Sequence, residues 1–259
     1  MALRALIFDV DGTLAETEFD GHRIAFNEAF AAAGLDWHWD VPTYRRLLAV
    51  TGGKERMLAW WREVEPAAAE SPGAQARIRA LHVDKDARYK GLLTSRSVDL
   101  RPGIARLLAE ARGAGLRLAI ATTTSAGNVH ALLRHTLGEA SIGWFEVIGA
   151  GDSVAAKKPA PDIYLQVLAA LGLDADEAVA FEDSVPGLAA ALAAGLPCVV
   201  TASLMSAGER FDNRALAVLD HLGEAGAPAS GMVAGNAWRG QVDLQALHHW
   251  LEVRNHGER

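Results

Sequence analysis

The sequence is poor in cysteine: Cys198 is the single one among 259 residues. No disulfide framework can form, and within Leu196-Pro197-Cys198-Val199-Val200 the thiol reads as a small hydrophobe. No run approaches the roughly 20 apolar residues that a membrane span needs. Met1-Ala2-Leu3-Arg4 leads directly into a strand-like segment, which is not the pattern of a secretory leader. A cytoplasmic protein with no membrane contact is expected. A basic excess is also missing: 25 Lys and Arg face 32 Asp and Glu, for a net charge of −7, which argues against general nucleic-acid binding. No low-complexity tract or internal repeat interrupts a composition that is 50% hydrophobic, so a globular fold with a sizeable core is expected.

The pattern that is present divides the chain. Residues 3–8 form an apolar strand. Residues 16–97 then read as helices, with apolar positions at Ile24, Phe26, Ala29, Phe30 and Ala33, at Met57, Trp61 and Val64, and at Ile78 and Leu81. Four of the seven tryptophans, Trp37, Trp39, Trp60 and Trp61, fall here and are expected to build a small core. Acidic and basic side chains balance over residues 16–96, so the surplus of negative charge lies elsewhere. After residue 98, short apolar strands (116–121, 145–148, 178–181 and 198–200) alternate with helices, the signature of a parallel sheet covered on both faces. Residues 223–240, rich in Gly and Ala, read as loop, and 243–253 as a last helix. The expected architecture is an α/β core, a doubly wound parallel sheet made of residues 1–15 and 98–259, with residues 16–97 inserted as an all-helical unit.

Ligands in such sheets bind beyond the carboxyl ends of the strands, and four strand ends carry reactive side chains. Phe8-Asp9-Val10-Asp11-Gly12 sets two carboxylates two apart, which is either a site for a hard cation such as Mg²⁺ or ordinary strand-to-turn chemistry. Thr122-Thr123-Thr124-Ser125 offers hydroxyls and N–H groups to phosphate, or simply a helix cap. Lys157-Lys158-Pro159-Ala160-Pro161 provides a compact cation, and Glu182-Asp183-Ser184 two further acids. Each has a plain structural explanation alone. Together they supply metal ligands, a nucleophile, phosphate donors and a cation, the parts phosphoryl transfer requires.

The order D-x-D-G-T, T-T, K-P-x-P-D and E-D-S, spanning Asp9 to Ser184, resembles the haloacid dehalogenase superfamily. Glu16-Thr17-Glu18 and Thr51-Gly52-Gly53-Lys54-Glu55-Arg56 look like its CbbY branch, sugar-phosphate phosphatases that act on xylulose 1,5-bisphosphate, an inhibitor of Rubisco. The resemblance implies that Asp9 is the nucleophile and forms an aspartyl-phosphate, and that Asp11 is the acid and base. It implies phosphate binding by Thr122, Thr123, Lys158 and Gly12. Mg²⁺ would be held by Asp9, the Asp11 carbonyl and Asp183, with Glu182 beside it. The helical unit would be a cap that selects substrate, with Glu18, His22, Arg23, Gly53, Lys54 and Arg56 as candidates. Phe19-Asp20-Gly21 before His22 is a residue longer than the family pattern. The alternatives are a phosphoglucomutase-type isomerase, a phosphatase of another small phosphorylated metabolite, or a non-catalytic module. Halide displacement is disfavoured because it has no use for a second Asp that protonates an alkoxide. A monomer is expected.

Overall fold

The computed structural model describes residues 3–95 and 98–257. The expected limits at residues 1, 97 and 259 lie outside them. Strand β1 (Ala5–Phe8) is wholly buried and pairs in parallel with β2 (Arg117–Ala121) on one side and β4 (Ala178–Glu182) on the other. With β3 (Phe145–Gly149), β5 (Cys198–Thr201), β6 (Ala217–Leu219), β7 (Ala229–Val233) and β8 (Asn236–Gly240) they form one eight-stranded sheet in the order β3-β2-β1-β4-β5-β6-β7-β8. The members from β3 to β6 are parallel, and β7 and β8 are antiparallel.

Successive side chains of a strand point to opposite faces. Leu6, Phe8, Leu118, Ile120, Val179 and Phe181 therefore pack on one side, against α6 (Ile104–Gly113), α7 (Ala126–Leu137) and α10 (Leu244–Gly257). The alternate positions are mostly small, as at Ala5, Ala119, Ala121, Ala178 and Ala180. They admit α8 (Asp162–Leu171) and α9 (Val185–Ala193) onto the other side, through Ile163, Val167 and Leu188. Burying each large apolar side chain contributes about 1.5–3 kcal/mol.

Between β1 and α6 lie α1 (Arg23–Ala32), α2 (Val41–Leu47), α3 (Gly53–Val64), α4 (Pro66–Ala69) and α5 (Ala74–Ser95). They share an apolar cluster of Phe26, Phe30, Trp37, Trp39, Tyr44, Met57 and Trp61, with Trp60 packed against it. Asp40 caps α2 by accepting from Thr43 N–H at 2.8 Å, and Pro42 sits in its first turn. Glu18–His22 form a π-helical turn, in which Arg23 N–H reaches back to the Glu18 carbonyl.

The expectation that residues 223–240 are loop is corrected: they hold β7 and β8. Glycine and alanine mask the alternation there. Gly231 lies so close to Val218 and Leu219 of β6 that any Cβ would collide with that backbone, so the strand needs the residue that makes it look like loop. The tail continues into α10, whose Leu247 and Trp250 are buried in the main core, Trp250 edge-on to Trp238 with ring centroids 5.1 Å apart. No helix among the described residues is long and apolar enough to cross a membrane.

Trp250→Ala should cost about 3–5 kcal/mol, read as a lower urea midpoint. A change under about 1 kcal/mol would mean that the tail is not part of the core.

Candidate active site

Parallel register assembles the site. Phe8 aligns with Ile120 on β2 and with Phe181 on β4. The next row therefore holds Ala121, Asp9 and Glu182, and the Asp9 N–H continues the ladder to the Phe181 carbonyl at 3.0 Å. Lys158 spans this row. Its Nζ lies 2.8 Å from the Ala121 carbonyl, 2.7 Å from Asp9 Oδ1 and 2.6 Å from Glu182 Oε1. Tyr164 Oη donates to the same Glu182 oxygen at 2.5 Å. Glu182 Oε2 is buried with no hydrogen-bond partner.

Ligand atoms of Asp9, Glu182 and Asp183 lie within 4.8 Å of one another, and all three residues are buried. One lysine among three carboxylates leaves an excess of negative charge in a desolvated place. Burial, opposed by Lys158 and helped by Glu182 and Asp11, pushes the Asp9 carboxyl up from 3.8 to about 7. Burial and the Asp9 charge raise Asp183 well above the carboxylate range, with Ser203 opposing. Burial acts against the charged form of Lys158, but Asp9 and Glu182 outweigh it and hold the ammonium above its usual value. An all-oxygen donor set with an unpartnered buried carboxylate oxygen and surplus charge fits a hard divalent cation.

Asp11 sits apart from that cluster. Thr17 Oγ1 donates to its Oδ1 at 2.6 Å, and His22 Nε2 lies 2.9 Å from the same oxygen. Burial pushes this carboxyl up, but His22, Thr17 and the nearby Lys85 overcome it, and the value falls to about 2. The His22 ring stacks on Tyr89 with centroids 3.9 Å apart. Gly12, at φ +85°, turns the chain between Asp11 and Thr13. A Cβ there would collide with the Asp183 carboxylate, so the turn accepts only glycine.

Asp9, Asp11, Thr122, Thr123, Lys158, Glu182 and Asp183 line one cavity of about 400 Å³ with Glu18 and Arg56. Arg56 is buried; its Nη1 donates to Tyr44 Oη at 3.0 Å, and Tyr44 in turn donates to Glu18. Gly12, His22, Arg23, Gly53 and Lys54 do not line it. Arg23 bonds the carbonyls of Phe19 and Trp39, and Gly53 sits over His82 and Phe26. Lys54 pairs with Asp152 in a neighbouring groove.

Sequence reasoning missed four contributors. Tyr44 links Glu18 to Arg56. Arg210, on the segment after β5, is an exposed cation at the cavity wall. Ser206 lies at the same wall. Arg101 is buried and donates to the carbonyls of Gly12, Thr201, Ala202 and Asp220, tying the Gly12 turn to the ends of β5 and β6. None of them belongs to a local motif. The available signal is the coincidence of polar residues with the ends of β1, β5 and β6, and it appears only once the strand order is known.

The family model for haloacid dehalogenase-like hydrolase matches residues 3–195. The chain belongs to the haloacid dehalogenase-like hydrolases. Among their members it is similar to Protein CbbY, plasmid, of Cupriavidus necator, 52% identical over 248 residues that cover 96% of each chain. The solved CbbY of Rhodobacter sphaeroides in complex with phosphate is 49% identical, covers 85% of this chain and 94% of its own, and superposes with a TM-score of 0.78. A point mutant of that protein in complex with xylulose-(1,5)bisphosphate superposes at 0.77, with 47% identity and the same coverage. This hydrolase therefore sits in the CbbY branch.

The raised Asp9 carboxyl fixes a pH dependence for the metal-free hydrolase. Folded Asp9 retains a proton that the unfolded chain has already lost, so stability should fall as pH rises from about 4 through about 7. Lys158→Met should steepen that fall and cost about 3–5 kcal/mol at neutral pH. Urea unfolding in EDTA at pH 5 and pH 7.5 reads both effects, and a variant equally stable at the two values would contradict them.

Proposed function

We propose that this hydrolase is a divalent-metal-dependent sugar-phosphate phosphatase whose substrate is a pentulose bisphosphate, xylulose 1,5-bisphosphate in the first place. The observation that carries the reading is the cavity, which sets Asp9 with its Lys158 partner at one part of its wall and the cations Arg56 and Arg210 at others. A substrate with one phosphoryl group at Asp9 and a second anion at the arginines matches that distribution. Similarity to the CbbY that binds xylulose-(1,5)bisphosphate supports it.

Asp9 Oδ attacks phosphorus and forms an aspartyl-phosphate, which splits one difficult displacement into two easier ones. Lys158 and the Thr122 and Thr123 hydroxyls bind the non-bridging oxygens. Lys158 also opposes the burial that favours the protonated form of Asp9. Asp11 gives its proton to the departing sugar oxygen and then takes one from the attacking water. Thr17 and His22 favour its ionised form, which suits the second step; protonation for the first step requires that one of those hydrogen bonds be given up as substrate enters.

Asp9, Asp183 and the Asp11 carbonyl, with Glu182 beside them, would hold Mg²⁺. When bound, Mg²⁺ offsets the repulsion between an anionic nucleophile and an anionic phosphoryl group.

The helices of residues 18–95 act as the cap in this reading. Glu18, fixed by Tyr44, faces the sugar hydroxyls, and Arg56 grips the distal phosphate, for which a guanidinium offers bidentate geometry. His22, Arg23, Gly53 and Lys54 support the cap and its junction with the core rather than the sugar itself. Location in the cytoplasm and a role beside carbon fixation belong to the same proposal.

A phosphate-release screen over pentulose and hexose mono- and bisphosphates tests it. The expected result is a preference for the pentulose bisphosphate, with inorganic phosphate released and no isomerised sugar phosphate formed. Arg56→Gln should cut kcat/KM for the bisphosphate by about 10–100-fold and leave a monophosphate within about threefold. A wild-type preference for monophosphates would overturn the substrate reading.

A further inference from the structure

The turn that follows β5, residues 202–206, touches the carboxylate cluster at Asp183. It carries two buried hydroxyls, on Ser203 and Ser206, 2% and 4% exposed. Ser206 Oγ lies 2.6 Å from the backbone carbonyl of Asp183, which can only accept, so the Ser206 proton is committed there. A lone pair of Ser206 Oγ accepts from Ser203 N–H at 2.9 Å. In return Ser206 N–H donates to Ser203 Oγ at 3.3 Å. The two hydroxyl oxygens are 3.2 Å apart. Ser203 also stands beside the Asp183 carboxylate and favours its ionised form. With the Ser206 proton taken, the Ser203 proton can go to Ser206 Oγ or toward the Asp183 carboxylate. One hydroxyl thus holds the Asp183 backbone directly, and the other is set beside its carboxylate.

The turn is held independently of Asp183. Ala202 N–H bonds the Leu219 carbonyl of β6 at 2.9 Å, and Arg101 holds the Ala202 carbonyl at 2.7 Å. Arg45, from α2, grips the Leu204 carbonyl at 2.9 Å, and Glu16 accepts from Leu204 N–H. Met205, between the two serines, is buried in the tryptophan-rich cluster of the helical segment. The Gly12 turn closes the other side: a Cβ on Gly12 would stand 3.2 Å from Ser203 Cβ. Asp183 therefore meets one donor at its backbone and a second hydroxyl beside its carboxylate, on a braced turn.

We propose that Ser203 and Ser206 are positioning residues that hold Asp183 in the orientation in which it ligates the divalent cation. They set metal affinity, and they do not act on the phosphoryl group. The proposal rests on the metal site of the preceding section. Partners that orient a ligating group commonly govern 10–100-fold in metal affinity.

The test is titration calorimetry of substrate-free protein with MgCl₂, for wild type, Ser203→Ala, Ser206→Ala and Leu204→Ala, with thermal melts in EDTA confirming that each is folded. Both serine variants should bind Mg²⁺ about tenfold or more weakly. Their kcat for an aryl phosphate at saturating Mg²⁺ should stay within about threefold of wild type. Leu204→Ala, exposed on the same turn with both hydroxyls retained, should bind as wild type does. Ser206→Thr, which keeps the hydroxyl, should recover most of the affinity. If wild type binds no Mg²⁺, the metal reading falls. If wild type binds and the serine variants bind equally well, this inference falls and the metal site stands. A raised KM for phosphate ester at unchanged Mg²⁺ affinity would likewise overturn it, by making the serines substrate contacts.

Discussion

Three buried carboxylates stand together at the carboxyl end of the sheet with one lysine, paired to two of them, and the rest of the site is arranged around that imbalance. Asp9, Glu182 and Asp183 lie within reach of a common ion, and Lys158 neutralises only part of their charge. Taking charges out of water costs several kcal/mol each unless they are compensated. The sheet imposes this arrangement because Asp9 and Glu182 stand in one row of a parallel register. The site thus holds a cost that a bound cation relieves by opposite charge. A nucleophile that burial would protonate becomes an anion only in company.

Asp11, the proposed acid and base, is kept out of this crowd. Asp11 lies past the turn from Asp9, and its partners Thr17 and His22 come from the entry to the helical segment. Two acids two residues apart therefore hold opposite tendencies, Asp9 upward and Asp11 downward. The π-helical turn bears on this difference. Glu18–His22 form a wider, π-helical turn, and from it His22 reaches Asp11. The residues proposed to select substrate are separate again, the Glu18, Tyr44 and Arg56 chain on the helical side and Arg210 on the core side.

The strands and their reactive ends were legible in the sequence because each apolar run ends in its functional residue, and a parallel sheet gathers those ends without further information. The tryptophans of the helical segment were legible for a similar reason, since composition alone marks a small aromatic core. Position across the fold was not. Lys54 stands two residues before Arg56, yet one faces Asp152 in a groove and the other the cavity, because α3 rotates successive side chains by about 100°. Arg101, Ser203 and Ser206 act through chain segments distant in sequence, and single polar residues near strand ends carry no motif. The hairpin β7–β8 was hidden by the glycines that let it pack.

The central claim is that the Asp9 carboxylate, and no other group, receives the phosphoryl group. Rapid acid quench of enzyme with substrate labelled in the scissile phosphate, borohydride reduction of the acyl phosphate and peptide mapping test it directly. The account predicts conversion of residue 9 to homoserine, in step with label trapped on the protein and absent from Asp9→Asn. Label that maps to Asp11 or Asp183, or turnover by purified Asp9→Asn, would contradict it.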